Sequence, residues 1–192
     1  MPGTSVEDME LVARSKSGDV AAFTALVSRY EGRIYNLAYR LVGSADDAAD
    51  VSQEVFLAAF ESIGRFRGES AFYTWLYRIA VNKALAHRRV RDSRPEVSPA
   101  GRESSPLDLA VDPADPPEDI MDRRERDAAV QAAIQGLPPD YRAVVVLKDI
   151  EGFEYEEIAE IAGIAIGTVK SRLHRARLLL RHALKAFVST TP

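Results

Sequence analysis

Residues 153–177 read FEYEEIAEIAGIAIGTVKSRLHRAR, and this stretch decides the fold of the chain. Its first part, residues 155–162, spaces isoleucines at helical intervals behind glutamates that suit the N-terminal end of a helix dipole. Gly163 can adopt the positive φ of a tight turn, and a second helix is expected to begin near Gly167. Two short helices on either side of a glycine turn are typical of a helix-turn-helix.

The second helix of this motif separates its polar and apolar side chains. An apolar stripe at steps of three or four is expected to pack inward: Val169, Leu173, Ala176, Leu180, Leu184 and Phe187. The opposite face carries donors suited to phosphates and to base edges in a major groove: Thr168, Lys170, Ser171, Arg172, His174, Arg175 and Arg177. The pattern favours binding to duplex DNA, with a solvated basic helix of an ordinary bundle as the alternative.

The composition is that of a globular protein of one or two domains. The chain has 192 residues, of which 46% are apolar and none is cysteine, so disulfides, cysteine-based zinc sites and thiol chemistry are excluded. The first residues are acidic where a signal peptide would be basic, and no apolar run approaches the length of a membrane span. We therefore expect a cytoplasmic protein without membrane insertion.

The net charge of −4 hides an uneven distribution. Residues 62–91 hold seven basic residues against one acid, and residues 164–187 hold six basic residues and no acid. Between them, residues 92–122 hold nine acids against two arginines. Two basic blocks separated by an acidic spacer predict two nucleic-acid surfaces on an otherwise acidic chain.

The first half of the chain predicts four helices. The first covers about residues 7–17, and the second follows Asp19 as its N-cap and continues to Gly43. Ser44 is expected to cap a third helix over residues 45–62, which has a packing side and an acidic side. Ser70 is expected to cap a fourth helix that extends to about residue 91.

The fourth helix combines aromatic and basic side chains. Residues 72–77 include four aromatic residues, and the end of the helix is rich in lysine, arginine and histidine. Exposed rings beside cations suit single-stranded or melting DNA. The alternative is a core role, because Phe72, Leu76 and Ile79 fall on one helical face.

The region after the fourth helix loses all periodicity. Six of the ten prolines lie between Pro95 and Pro117, among serines, glycines and acids, which predicts a mobile linker. Helical patterns return over residues 117–135 and again after Pro139. We predict an all-α fold of two small helical domains, residues 1–91 and 118–192, joined by a flexible linker over residues 92–117.

Three stretches resemble a known family. They are DDAADVSQEVFLAAF at 46–60, FRGESAFYTWLYRIAVNKA at 66–84, and LPPDYRAVVVLKDIEGFEYEEIAEIAGIAIGTVKSRLHRARLLL at 137–180. In this order and spacing they resemble the RpoE-like sigma factors of the extracytoplasmic-function (ECF) group of the bacterial sigma-70 family. The resemblance implies a region 2 helical bundle, a region 4 helix-turn-helix, and selection and opening of promoters together with core RNA polymerase, in an envelope or other stress response.

The resemblance also implies roles for individual residues. The −35 element would be read by Thr168, Lys170, Ser171, Arg172, His174 and Arg175. The −10 element would be bound by Arg65, Phe66, Arg67, Ser70, Phe72, Tyr73, Trp75, Asn82, Lys83 and Arg88. Core polymerase would dock on Asp47, Asp50, Gln53, Glu54 and Phe56.

The implied partners are the beta-prime clamp and beta flap of core RNA polymerase, promoter DNA and an anti-sigma factor. No cofactor, metal or small-molecule substrate is implied. The sequence departs from the family at Ala165, where many relatives have proline, and at Glu154, where serine or threonine often caps the helix. We expect each departure to cost a few tenths to about 1 kcal/mol of helix stability.

Two other functions fit part of the pattern. A conventional DNA-binding regulator would use only the C-terminal motif and would have no need of residues 46–91 as a polymerase-docking and strand-binding unit. A metal-dependent nuclease would use acids such as Asp46, Asp50 and Glu54, but these acids are better explained by a helix N-terminus and a partner surface. We therefore expect a protein that is not an enzyme.

Overall fold

A computed structural model describes the backbone of residues 6–93 and 117–188, and the side chains of residues 6–93 and 125–185. Every regular element in these ranges is helical, which confirms the predicted all-α class. The predicted linker lies almost entirely outside the described residues. The side chain of Phe187, which is predicted to face inward, also lies outside the described side chains.

The N-terminal bundle consists of four α-helices: α1 (Val6–Lys16), α2 (Val20–Val42), α3 (Ala45–Ser62) and α4 (Phe72–Ser93). The long helix α2 packs against each of the other three. Its apolar stripe supplies the buried centre of the bundle, including Leu26, Ile34 and Leu37. Buried Asp8 holds α1 in place, because its carboxylate accepts a hydrogen bond of 2.7 Å from the Tyr30 hydroxyl of α2.

The helix ends of this bundle follow the capping signals of the sequence. Asp19 accepts a hydrogen bond from the backbone NH of Ala22, and Ser44 accepts one from the backbone NH of Asp47. Gly43 ends α2 at φ +83°, a conformation that other residues rarely adopt. The prediction for Ser70 is wrong, since α4 begins at Phe72 and the carbonyl of Ala71 accepts the first helical hydrogen bond.

The C-terminal bundle consists of α5 (Pro117–Gln135), α6 (Pro139–Val145), α7 (Tyr155–Ala162) and α8 (Ile166–Val188). A π-helical turn (Val146–Ile150) continues α6 towards α7. Gly163 makes the predicted turn between α7 and α8 at φ +66°. Buried Ile158 and Ile161 of α7 face buried Val169 and Leu173 of α8, which confirms the helix-turn-helix.

The two bundles pack against each other. Helix α7 lies against α4, and α5 and α6 lie against the end of α2. One continuous cluster of buried side chains therefore runs through both bundles. Nothing in the sequence patterns predicted this contact.

Candidate nucleic-acid and polymerase interfaces

Helix α8 presents the donors that the sequence placed on its polar face. Lys170, Ser171, His174 and Arg175 are exposed, whereas Val169, Leu173 and Ala176 are buried. Thr168 and Arg172 are half-buried. The structure therefore confirms the predicted separation of the two faces over residues 168–177.

Three arginines of α8 contact side chains of α6 and of the π-helical turn after it. Arg172 pairs with Asp140 at 2.9 Å, and Nε of Arg177 donates to Asp149 at 3.0 Å. The Arg175 guanidinium donates to the Tyr141 hydroxyl at 3.4 Å, a contact that raises the pKa of Arg175. These contacts limit the rotamers of long side chains, so the donors are partly ordered before any ligand arrives.

An aromatic ring at the start of α7 lies close to two lysines. The ammonium groups of Lys148 and Lys170 lie 5.0 and 5.6 Å from the centre of the Tyr155 ring. Lys148 also pairs with Glu154 at 3.0 Å. Sequence reasoning missed Lys148 and Tyr155, because only the fold brings the turn after α6 next to the start of α8.

A cleft of about 250 Å³ opens between the loop before α4, the first turns of α4 and helix α7. Its walls are Arg65, Phe66, Arg67, Gly68, Glu69, Ser70, Trp75, Arg78 and Glu160. The Trp75 ring lies 5.3 Å from Phe66 and is half-buried, so one part of it faces the cleft. Three arginines beside an aromatic ring can bind the phosphates and the face of an unpaired nucleotide.

The residues predicted for −10 binding fall into four groups. Arg65, Phe66, Arg67, Ser70 and Trp75 line the cleft, with Phe66 largely buried, whereas Asn82 is exposed more than one helical turn farther along α4. Phe72 and Tyr73 are buried, and Phe72 is only 1% exposed, which fits the core role weighed for that face.

The other two predicted −10 residues have partners within the protein. Lys83 lies 3.3 Å from Glu54 of α3. Arg88 donates to the side-chain oxygen of Gln135 at 2.8 Å and to the Val42 carbonyl at 3.3 Å. Arg88 therefore joins the two bundles in this conformation.

The acidic side of α3 is largely accessible. Asp50, Gln53 and Glu54 are exposed, whereas Phe56 is half-buried and packs against the core. Asp47 is also half-buried and forms an ion pair with Arg91 of α4, with His87 at 3.8 Å. The five predicted docking residues thus include three exposed side chains and two that are partly engaged within the bundle.

Two apolar side chains extend this face of α3. Leu57 is 57% exposed and lies four residues beyond Gln53, and Phe60 is 49% exposed and lies three residues beyond Leu57. Sequence reasoning did not select them, although their helical register with Asp50 and Gln53 could have done so. Exposed apolar side chains beside polar ones are typical of a protein-docking surface.

Aromatic side chains and glutamates join α4 to the region around α7. The Phe153 ring lies 5.6 Å from Tyr73 and 4.8 Å from Tyr77. The Tyr77 hydroxyl donates to Glu151 at 2.8 Å, and the Tyr73 hydroxyl donates to Glu157. Burial raises the pKa of both tyrosines and also the pKa of Glu151, so each hydroxyl keeps its proton at neutral pH.

Over residues 6–93 and 125–185, no group of three or more histidine or acidic side chains is arranged to hold a metal ion. None of the helices in the described part of the chain is both long and apolar enough to cross a bilayer.

Two family models match the chain in the order of its bundles. Sigma-70 region 2 matches residues 26–94, and sigma-70 region 4 matches residues 127–180. The chain belongs to the sigma-70 family. Region 2 covers α4, the acidic helix α3 and the cleft, and region 4 covers the helix-turn-helix of this sigma factor.

Curated relatives place the sigma factor in the ECF group. It is 43% identical over 185 residues to the RNA polymerase sigma-H factor of Pseudomonas aeruginosa, covering 95% of this chain and 96% of that protein. It is 41% identical over 173 residues to the ECF RNA polymerase sigma-E factor of Escherichia coli strain K12, covering 88% of this chain and 90% of that protein.

Two solved structures have similar folds. One is CnrH in complex with the cytosolic domain of CnrY, with a TM-score of 0.69 and 27% identity, covering 94% of this chain and 98% of that chain. The other is the sigma factor RpoE in complex with the anti-sigma factor NepR from Bartonella quintana, with a TM-score of 0.61 and 28% identity, covering 85% of this chain and 96% of that chain.

Proposed function

We propose that this sigma factor binds core RNA polymerase in the cytoplasm, directs it to promoters with particular −35 and −10 elements, and promotes strand opening. One observation carries the proposal. The chain combines an exposed row of major-groove donors on α8 with an arginine-lined cleft beside α4 and an exposed acidic face on α3. A regulator that used only the helix-turn-helix would need the first of these surfaces alone.

The −35 element is assigned to α8. Exposed Lys170, His174 and Arg175 can reach base edges, since an α-helix fits the major groove. Thr168 lies in the first turn of α8, where backbone NH groups and the helix dipole favour a phosphate. Arg172 and Ser171 complete the proposed contact set.

The −10 element is assigned to the cleft and the exposed side of α4. An unpaired base would enter between Arg65, Arg67 and Trp75, where cations and a ring are close together. Asn82, exposed farther along the helix, would contact a neighbouring nucleotide.

Core polymerase is assigned to α3. The beta-prime clamp would bind Asp50, Gln53 and Glu54, with Asp47 and Phe56 supporting this face from within the bundle. The beta flap would bind the region 4 bundle. The polymerase performs the chemistry, and this protein contributes binding and positioning without catalysis of its own.

An anti-sigma factor is a further proposed partner. One of the similar solved structures is a sigma factor in complex with an anti-sigma factor. A regulator of this class would cover the polymerase-binding and DNA-binding surfaces and so link transcription to an envelope or other stress signal.

Run-off transcription tests the proposal. Purified core polymerase should initiate on the promoter upstream of this protein's own gene only when the protein is added. Gln53→Ala with Glu54→Ala should weaken core binding by about tenfold or more, because a docking interface depends on a few central contacts. Asp46→Ala is the matched control, since it removes an exposed acid from the same helix.

Two results would count against the assignment. Failure of core polymerase to initiate with this protein on any promoter, combined with specific duplex binding by the protein alone, would favour the helix-turn-helix regulator. Wild-type core affinity of the Gln53→Ala, Glu54→Ala protein would remove α3 as the docking surface.

A further inference from the structure

Helix α1 lies outside both matched family regions, yet it borders the loop before α4. The sigma-70 region 2 match begins at residue 26, within α2, so neither family model covers α1. Helix α1 packs against the 3₁₀ turn (Ile63–Arg65) that leads into this loop, and it also contacts α4. It is therefore placed to influence the cleft that the loop lines.

The helix is fixed to its neighbour α2. The Asp8 carboxylate accepts a hydrogen bond of 2.7 Å from the Tyr30 hydroxyl and also pairs with Arg29. Asp8 and Val12 are each 2% exposed, so this side of α1 is packed within the bundle. A helix anchored in this way can hold a neighbouring loop in one position.

Lys16, at the end of α1, holds the first residue of the loop. Its ammonium donates a hydrogen bond of 2.9 Å to the Phe66 carbonyl. The backbone NH of Phe66 donates to the Ile63 carbonyl at 3.1 Å, and the Phe66 ring packs against Trp75. Because a peptide unit is planar, a fixed Phe66 carbonyl also fixes the NH of Arg67, which limits the directions available to the Arg67 side chain.

Met9 contacts the same loop from the same side of α1. A Cβ added at Gly68 would lie 3.8 Å from the terminal methyl carbon of Met9, so the end of this side chain lies next to the Gly68 backbone. Met9 and Lys16 are seven residues apart, which is close to two helical turns and places them on one face of the helix. The Arg67 and Glu69 side chains, in contrast, are 82% and 79% exposed. Helix α1 thus holds the loop through its backbone and leaves these side chains free to meet a ligand.

We propose that Lys16 and Met9 are positioning residues for the −10 element: they hold the loop at residues 66–70 so that Arg65 and Arg67 meet an unpaired nucleotide in one geometry. The proposal rests on the −10 assignment made above. Neither Lys16 nor Met9 is part of the cleft wall, so each acts through the loop backbone. A loosely held loop still offers its positive charges to phosphates, but it loses the fixed geometry that distinguishes one base from another.

Trp75, the single tryptophan, reports on the loop in the free full-length protein, because its ring packs against Phe66 in the cleft wall. Lys16→Met removes the donor to the loop. Arg14→Met is the matched control, since it removes the same charge from the same helix at a side chain that pairs with Asp19 at 2.7 Å. Acrylamide should quench Trp75 more readily in Lys16→Met than in Arg14→Met. Lys16→Arg, which keeps a long cationic donor, should restore the quenching of the wild-type protein.

Base selection is measured with the holoenzyme on the promoter upstream of this protein's own gene. Run-off transcription from templates with single-base substitutions gives the discrimination at the −10 element and, separately, at the −35 element. Lys16→Met should reduce discrimination at the −10 element by about two- to tenfold and leave discrimination at the −35 element unchanged. A protein that was merely less stable would lose activity on all templates alike, and urea unfolding measures that loss independently.

A second pair of variants tests the other contact. Met9→Ala should change Trp75 quenching and −10 discrimination in the same direction as Lys16→Met, because it removes the side chain beside Gly68. Val6→Ala is its control, since it shortens an apolar side chain of the same helix that is 87% exposed.

The outcomes separate this inference from the proposed function. Equal Trp75 quenching in Lys16→Met and Arg14→Met would overturn the proposal, and so would equal losses of discrimination at the two promoter elements. Failure of core polymerase to initiate with the wild-type protein would remove the proposed function, and the quenching of the free protein would still decide whether α1 holds the loop. Unchanged −10 discrimination by an active Lys16→Met holoenzyme would remove the positioning role and leave the function intact.

Discussion

At the scale of single residues, two arginines illustrate different uses of the same side chain. Arg142 is 1% exposed, and its guanidinium donates to the carbonyls of Ile134, Gln135, Leu137 and Leu41 without a carboxylate partner. Burial lowers its pKa to about 10, so it remains charged at neutral pH and its role is structural. Arg175 is exposed on α8 and is available to DNA.

Arg175→Ala should therefore act on sequence recognition. If Arg175 contacts a base edge, the variant should lose about 1 to 3 kcal/mol of binding free energy on the cognate −35 duplex. Holoenzyme binding to that duplex and to a scrambled one is the measurement. Arg181→Ala, an exposed arginine farther along α8, is the control, and an equal loss on both duplexes would assign Arg175 to a phosphate instead.

At the scale of elements, the end of α2 joins its own helix cap to the other bundle. Gly43 has φ +83°, and a Cβ added there would lie 2.6 Å from the Gln135 side chain. Gln135 donates to the Arg40 carbonyl and accepts from Arg88. A side chain at position 43 would thus strain the backbone and also displace an interbundle contact.

Gly43→Ala should lower the free energy of unfolding by about 1 kcal/mol or more, and by more than Gly18→Ala does. Gly18→Ala is the matched control, because Gly18 has φ +93° and no heavy atom within 4 Å of an added Cβ. Urea unfolding measures the backbone strain in both variants and, in Gly43→Ala, the lost interbundle contact as well. Equal losses in the two would show that the contact of Gln135 with α2 does not contribute to stability.

At the scale of the whole molecule, the packing of the two bundles makes stability depend on pH. Burial raises the pKa of Glu151 above its ordinary value of about 4.5, while Tyr77 of α4 and Arg33 and Arg40 of α2 act in the opposite direction. A raised carboxyl pKa means that the folded state binds the proton more tightly than the unfolded state. The resulting contribution to the free energy of unfolding is fully present below the ordinary pKa and is lost as pH rises through the raised value.

The free energy of unfolding, measured in urea, should consequently lose this contribution as pH is raised through the raised pKa of Glu151. Glu151→Gln should flatten this part of the pH dependence, because the amide does not titrate. An unchanged pH dependence in Glu151→Gln would assign the effect to another group.

The sequence by itself determined the all-α class, most helix ends and the faces of α8. These features are local: Asp19, Ser44 and Gly163 act on neighbouring backbone groups, and the apolar stripe of α8 repeats with the helical period. The family resemblance added the order of the two regions, which the family models confirm. The roles of the individual DNA-binding and docking residues remain predictions.

Only the tertiary structure decided which predicted residues meet solvent and which meet the other bundle. The ring of Tyr73 and the charges of Arg88 and Asp47 suit a partner. In the structure, however, Tyr73 contacts Glu157, Arg88 contacts Gln135 and Asp47 contacts Arg91. The packing of α7 on α4 joins residues more than eighty positions apart in the chain. Helical periodicity specifies which face of a helix is apolar or charged, but the packing of distant helices decides what covers that face.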